Sequence, residues 1–229
     1  MSSKKVFGII SYFPNSDTPY HTETKTKRTK RFFNMLYQLE KYWPNIDIII
    51  IAQNWQGLAI PDIHNKVTIY NYPKLGILKA RKKLRKKFLE SDYDYLIMMD
   101  DDAIIEYADA ERYIKEIDDH PDGVGVIRHN KCPLMFCAVS KSIYSQQDMV
   151  DIDAEQGQGF EDDIFVATVF NKFPDKAFDF SPNVIKEISF RYDGELGAVP
   201  STWSREKKLN WNYMRSNTLD IVSRLNGGT

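Results

Sequence analysis

Apolar residues in the first hundred positions follow two alternating periods. Residues 6–12, Val-Phe-Gly-Ile-Ile-Ser-Tyr, form a short β-branched and aromatic run that predicts a strand. Residues 28–43 place Phe32, Leu36, Leu39 and Trp43 on one helical face, and Pro44 stops that helix. Residues 47–52, Asp-Ile-Ile-Ile-Ile-Ala, read as a strand buried on both sides. Residues 66–72 predict another strand. Residues 76–90 predict a helix with Ile77, Leu84 and Phe88 facing inward. Residues 93–99 are again a buried strand, and they run into Asp100, Asp101 and Asp102.

The second half is less regular. Helices are expected over 108–118, over 140–149 with Ser140 as its cap, and over 162–173 with Pro174 as its stop. Strands are expected over 124–127, 134–139, 178–180 and 185–192. The tail from Ser204 to Leu225 mixes aromatic and basic residues and is expected to be helical in part. The order strand, helix, strand, strand, helix, strand in the first half implies a layered, largely parallel α/β sheet. Ligands in such sheets bind beyond the carboxyl ends of the strands, where the three aspartates stand.

Composition narrows the class. A chain of 229 residues with 42% hydrophobic and 28% charged residues is ordinary for a globular protein. One domain over 1–229 is expected, with divisions near 105 and 200 and a tail over 201–229. A net charge of -1 excludes a molecule that binds nucleic acid through its overall field. Cys132 and Cys137 fit neither a redox pair nor a zinc knuckle, and read as buried thiols of a reducing compartment. No run approaches a membrane span, and the apolar stretch after Met1 is too short for a signal peptide. The expectation is a cytoplasmic protein, free or at the inner membrane surface.

Asp100, Asp101 and Asp102 carry the sharpest chemical signal. Adjacent carboxylates repel and are costly to desolvate unless a cation joins them. The bland alternative is a solvated acidic turn. Here the apolar runs before and after the acids embed them between buried segments. Oxygen ligands suit Mg²⁺ or Mn²⁺, which keep positions open for substrate phosphates.

The segment Tyr93-Asp-Tyr-Leu-Ile-Met-Met-Asp-Asp-Asp-Ala-Ile-Ile105 resembles the D-x-D segment of GT-A-fold glycosyltransferases. It is similar both to the family 2 enzymes and to the β-1,3-galactosyltransferase-like group with its M-D-D-D motif. Gly76-Ile-Leu-Lys-Ala-Arg81 resembles the G-x-x-x-A-R stretch before that strand, and Gly157-Gln-Gly-Phe-Glu-Asp-Asp-Ile-Phe165 resembles the glycine-then-E-D segment after it. The resemblance covers roughly residues 5–170. It implies a GT-A, Rossmann-like three-layer α/β sandwich with a mostly parallel central sheet.

The resemblance also implies roles. Asp100 is the ribose-side acid and shares the metal with Asp102, while Asp101 contacts either. Arg81 reaches base or phosphates, and Ser11, Tyr12 and Asn54 lie on the donor side. In this reading Asp162 is the catalytic base, with Glu161 and Asp163 as deputies, although acids at a helix start also serve as caps. Two departures stand out. None of His21, His64, His120 and His129 follows Glu161 to complete a metal site, and Gln53 and Asn54 stand where the base-reading residue is often Asp.

The implied activity is metal-dependent transfer of a hexosyl group, with inversion, from a nucleotide-diphosphate sugar, foremost a UDP-sugar. The acceptor is a glycan, a lipid-linked sugar or a protein, and a nucleic-acid acceptor stays open. The basic run from Lys79 to Lys87 is either a solvated face, a peripheral contact with an anionic membrane or lipid-linked acceptor, or a contact with a nucleic-acid acceptor. Residues 22–30, rich in Thr and Lys, are expected to form a donor-side loop. The competing readings are a nucleotidyltransferase of similar architecture and a non-catalytic module binding membrane or nucleic acid. The first lacks its usual Gly-rich basic loop after residue 10.

Overall fold

Strand alternation decides which side of the sheet each helix covers. The computed structural model describes residues 3–12, 19–55, 57, 59–101, 103–105, 107–127, 136–148, 161–181, 184–185 and 188–189, and of these the backbone alone for 19–25, 161–164 and 188–189. In β1 (Lys5–Tyr12), Phe7 and Ile9 belong to one core and Val6 to the other. In β2 (Asp47–Gln53), Ile48, Ile50 and Ala52 join the first core, and Ile49 and Ile51 the second. In β4 (Tyr95–Asp100), Tyr95, Ile97 and Met99 join the first, and Leu96 and Met98 the second. A strand with both faces covered must be apolar at every position, which is why these runs show no polar alternation.

The first core is closed by α1 (Pro19–Tyr42) through Phe32, Met35, Leu36 and Leu39, all without exposed surface. Each such side chain contributes about 1.5–3 kcal/mol by leaving water. Trp43 packs beside Phe7, ring centroids 5.5 Å apart. Asn65 donates to the carbonyls of Trp43 and Ile46, at 2.8 Å each, where the helix ends before Pro44. The second core is closed by α2 (Ile77–Leu89) through Ala80, Leu84 and Phe88. Gly8 lets α2 lie close, because a Cβ there would stand 2.6 Å from Leu96 and 2.9 Å from Leu84.

The remaining elements are β3 (Val67–Tyr72), β5 (Ile104–Ile105), α3 (Ala110–Asp118), β6 (Val124–Val126), β7 (Phe136–Ser140), α4 (Lys141–Gln146), α5 (Glu161–Lys172), a 3₁₀ turn (Pro174–Lys176), β8 (Ala177–Asp179) and β9 (Ile188–Ser189). The central sheet runs β3-β2-β1-β4-β7-β6-β8. Strands β3, β2, β1 and β4 are parallel, as are β6 and β8, and only β7 runs against its neighbours. Helix α3 packs Tyr113 and Ile117 into the first core, while α4 and α5 pack Tyr144 and Phe165 into the second. The result is a three-layer α/β sandwich, as the alternation of elements predicted.

Two features differ from the sequence reading. Residues 22–30 are helix, not a loop, because α1 begins at Pro19. Its first turns lack an apolar stripe, so periodicity had nothing to register. Strand β5 pairs antiparallel with β9 as a separate two-stranded sheet, too short for a period of two to show. The Ser140 cap agrees, its Oγ accepting from Ile143 N at 3.4 Å, while Asp109, expected inside the helix, instead caps α3 through Arg112 N at 3.2 Å. Cys137 is buried, while Cys132 and the tail lie outside the described residues. Among the described residues no helix is long and apolar enough to cross a membrane.

Candidate functional site

The sheet order places β1 between β2 and β4, although β2 and β3 intervene in sequence. The chain winds outward from β1 and then returns to its other side. Such a reversal leaves a crevice at the carboxyl ends of the two central strands. Ile10 lies in register with Asp100, so Ser11 and Tyr12 flank the start of the acidic run.

The pleat of β4 sends consecutive acids to opposite faces. Asp100 faces the α2 side, where Arg81 Nη2 stands 3.5 Å from its Oδ1. Arg81 is 2% exposed, whereas the Asp100 side chain is 29% exposed. Asp101 faces the α1 side. Its Oδ2 accepts from Ser11 Oγ at 2.6 Å, and Arg28 Nη2 lies 3.1 and 3.2 Å from its two oxygens. Ser11 has no exposed surface and Asp101 has 7%. The backbone turns directly after this pair, with Ala103 N donating to Asp100 O at 3.3 Å.

Tyr12 is half-buried on the α2 side, with Lys74 Nζ 5.6 Å from its ring centre. Asn54 follows β2 with φ 58, a left-handed conformation that asparagine tolerates better than most side chains, and its amide donates to Tyr72 O at 2.9 Å. Gln53 is buried. Its Oε1 accepts from Leu75 N at 2.8 Å and Gly76 N at 3.1 Å, fixing the loop that starts α2. Gly76 has φ 80, where a side chain would be strained.

The structure thus joins Ser11 to Asp101 and Arg81 to Asp100, and sets Tyr12 and Asn54 at the carboxyl ends of β1 and β2. Glu161, Asp162 and Asp163 form the first turn of α5, whose Phe165 and Val169 anchor it in the second core. Asp102 and the side chains of Glu161, Asp162 and Asp163 lie outside the described residues. Arg28 was not singled out from the sequence. It is four residues before Phe32, so extending the α1 stripe by one turn would have placed it on the sheet-facing side.

Metal fit rests on donor chemistry. Asp100 offers partly exposed carboxylate oxygens at the crevice, the ligand type a hard divalent cation takes. Among the described residues no three Asp, Glu, His or Cys side chains gather into a fuller set. A groove of about 870 Å³ lies elsewhere, at the amino ends of the strands around Lys5, Asp47 and Tyr93, and shares no residue with the acidic turn.

No family model and no curated protein matches the sequence. Solved structures do. The chain is similar to S. aureus TarS 1–349 in complex with UDP-GlcNAc, at 11% identity and a TM-score of 0.55, over 80% of this chain and 57% of that one. It is similar to the S. aureus TarS crystal structure at 12% identity and a TM-score of 0.54, over 80% of this chain and 36% of that one. It is also similar to the mannosyltransferase PcManGT from Pyrobaculum calidifontis in complex with GDP-Man and Mn²⁺, at 12% identity and a TM-score of 0.54, over 84% and 59%. The fold is that of the GT-A glycosyltransferases. The chain spans between 36% and 59% of the length of these structures. In this GT-A sheet the acidic turn stands at the reversal of strand order, flanked by the ends of β1 and β4.

Proposed function

We propose that this protein is a glycosyltransferase that takes a hexosyl group from a nucleotide-diphosphate sugar, foremost a UDP-sugar, and places it on an acceptor hydroxyl. The observation that carries the reading is the acidic run at the carboxyl end of β4, half-exposed at Asp100, in the crevice of a GT-A sheet. The similar structures that hold UDP-GlcNAc or GDP-Man with Mn²⁺ support it.

In this reading Tyr12 and Asn54 bound the nucleoside side of the crevice, and Asp100 and Asp102 would hold Mn²⁺ or Mg²⁺, which would supply positive charge to offset that of the departing diphosphate. Arg81 acts from below, holding the Asp100 carboxylate in place. Asp162, in the first turn of α5, accepts the proton of the acceptor hydroxyl, and the helix N-terminus favours its ionised form. As that proton leaves, the acceptor oxygen bonds to the anomeric carbon. The bond from that carbon to the phosphate oxygen breaks, and its electron pair stays on the nucleoside diphosphate. One base and one displacement invert the anomeric centre.

The test is a thermal-shift series with UDP-GlcNAc, UDP-glucose, UDP-galactose and GDP-mannose, each with and without Mn²⁺. A donor at a hundred times its Kd stabilises by about 2.7 kcal/mol, roughly 5–10 °C for a domain of this size. A shift with one donor that needs Mn²⁺, followed by sugar transfer or donor hydrolysis, is expected. No shift with any nucleotide sugar or with UDP and GDP overturns the reading.

A further inference from the structure

We propose that Arg28 is the positioning residue of the acidic turn: together with Ser11 it holds Asp101 inward as an anchor, so that Asp100 before it is left open to the donor. The role attached to the turn rests on the glycosyltransferase reading, while the anchoring rests on geometry alone.

Three adjacent carboxylates repel one another, so the turn they occupy is not self-fixing. Asp101 is 7% exposed, and a carboxylate that deep is strongly disfavoured without charge and hydrogen-bond partners. Both partners are in place. Ser11 Oγ donates at 2.6 Å from the end of β1, and Arg28 Nη2 reaches both carboxylate oxygens at 3.1 and 3.2 Å. Each is carried on a rigid element. Ser11 follows Phe7 and Ile9 on the same face of β1, and Arg28 lies one turn before the buried Phe32 of α1. The anchor therefore ties the turn to the central strand and to the helix of the first core.

The consequence for chemistry follows from the pleat. With Asp101 tied to the α1 side, Asp100 is left on the other side against Arg81, with 29% of its side chain exposed. Asp101 thereby leaves the donor's ligand set, and Arg28 governs metal and donor binding without touching either.

Hydrogen exchange and kinetics on the full chain test this. In Arg28→Met the amide of Ala103, which donates to Asp100 O across the turn, should exchange at least tenfold faster than in the native protein, while amides in β2 and β3 keep their protection. The Mn²⁺ concentration giving half-maximal turnover should rise at least fivefold. Arg28→Lys keeps the charge and should recover part of both effects. The double variant Arg28→Met with Asp101→Asn should be no worse than the worse single variant, because each acts through the other. Unchanged exchange at Ala103 in a folded Arg28→Met overturns the anchor. An unchanged metal requirement with altered exchange leaves the contact purely structural and overturns the positioning role. If the native protein binds no nucleotide sugar, the glycosyltransferase reading fails, and the exchange data still decide the anchor.

Discussion

Arg81 meets Asp100 from the face of the sheet opposite to the one from which Arg28 meets Asp101. The Arg81 guanidinium is 2% exposed and lies 3.5 Å from a carboxylate that is 29% exposed. The two members of this pair do not depend on each other equally. A partly exposed carboxylate can turn to water, and a buried guanidinium cannot. Asp100→Asn should therefore lower stability by about 1–3 kcal/mol, the cost of leaving a buried donor short of its acceptor, which is below the roughly 3–5 kcal/mol for breaking a fully buried ion pair. Arg81→Met, which fills the same space without charge, should cost less. Thermal unfolding of the two variants checks the order, and equal or reversed losses would show that the pair is not the main support of Arg81.

Metal dependence follows from the acidic run. EDTA should abolish transfer, and Mn²⁺ or Mg²⁺ should restore it. Asp102→Asn should weaken nucleotide-diphosphate binding together with turnover. Full activity in thoroughly chelated enzyme would remove the cation from the mechanism.

The role proposed for Asp162 separates chemistry from binding. Asp162→Asn keeps size and much of the capping capacity at the start of α5. Transfer should fall by roughly 100- to 10,000-fold, the usual worth of a positioned base, with donor affinity in the presence of metal little changed. Near-native turnover would shift the role to Glu161 or Asp163, and a collapse of donor binding would place Asp162 among the donor contacts.

The basic run has a geometry that its composition left open. Lys79, Lys82, Lys83 and Lys86 fall within about 100° of the α2 surface, opposite the buried Ala80, Leu84 and Phe88. Lys83 and Lys87 lie over the rings of Tyr72 and Tyr70 on the edge strand β3, 5.5 and 4.7 Å from their centres. If this face meets an anionic membrane or a membrane-borne acceptor, replacing the four lysines by glutamate should abolish salt-sensitive sedimentation with anionic vesicles. Hydrolysis of free donor should persist. Equal sedimentation of the native protein with neutral and anionic vesicles would make the run a solvated face.

Gln53 offers a test of the loop that feeds α2. Gln53→Leu leaves the Leu75 and Gly76 amides without the acceptor they share, at a cost of about 1–3 kcal/mol. Chemical denaturation should show this loss, and a change within a few tenths of a kcal/mol would mean that water replaces the carbonyl.

The sequence showed most clearly those parts of the fold that repeat. The Ile run of β2 and the stripe Phe32, Leu36, Leu39 of α1 each bury a periodic face, and period is what a sequence displays. The acidic run after β4 was visible because charges rarely follow a doubly buried strand without a reason. The partner of each acid was not visible. The resemblance marked Arg81, but as a contact to base or phosphates and not as the partner of Asp100, and Arg28 reads as one of several cations before an apolar stripe. Only the tertiary approach of α1 and α2 to the sheet pairs each arginine with its acid. Gln53 shows the same limit, since the amide that pins the loop before α2 carries no mark of that contact in one dimension.

The bare backbone at Gly8 sets how far α2 stands from the sheet. A methyl group there would meet the side-chain ends of Leu96 on β4 and Leu84 on α2 below 3 Å, so both leucines would have to give way, and Leu84 couples that adjustment to the helix. Arg81 rides on that helix, one turn before Leu84. The smallest side chain in β1 thus works as a shim: the thickness of the protein at one mid-strand position calibrates the reach of an arginine at the far end of the sheet. Gly8 is then a site where activity could be tuned by tenths of an ångström without altering any group that touches substrate.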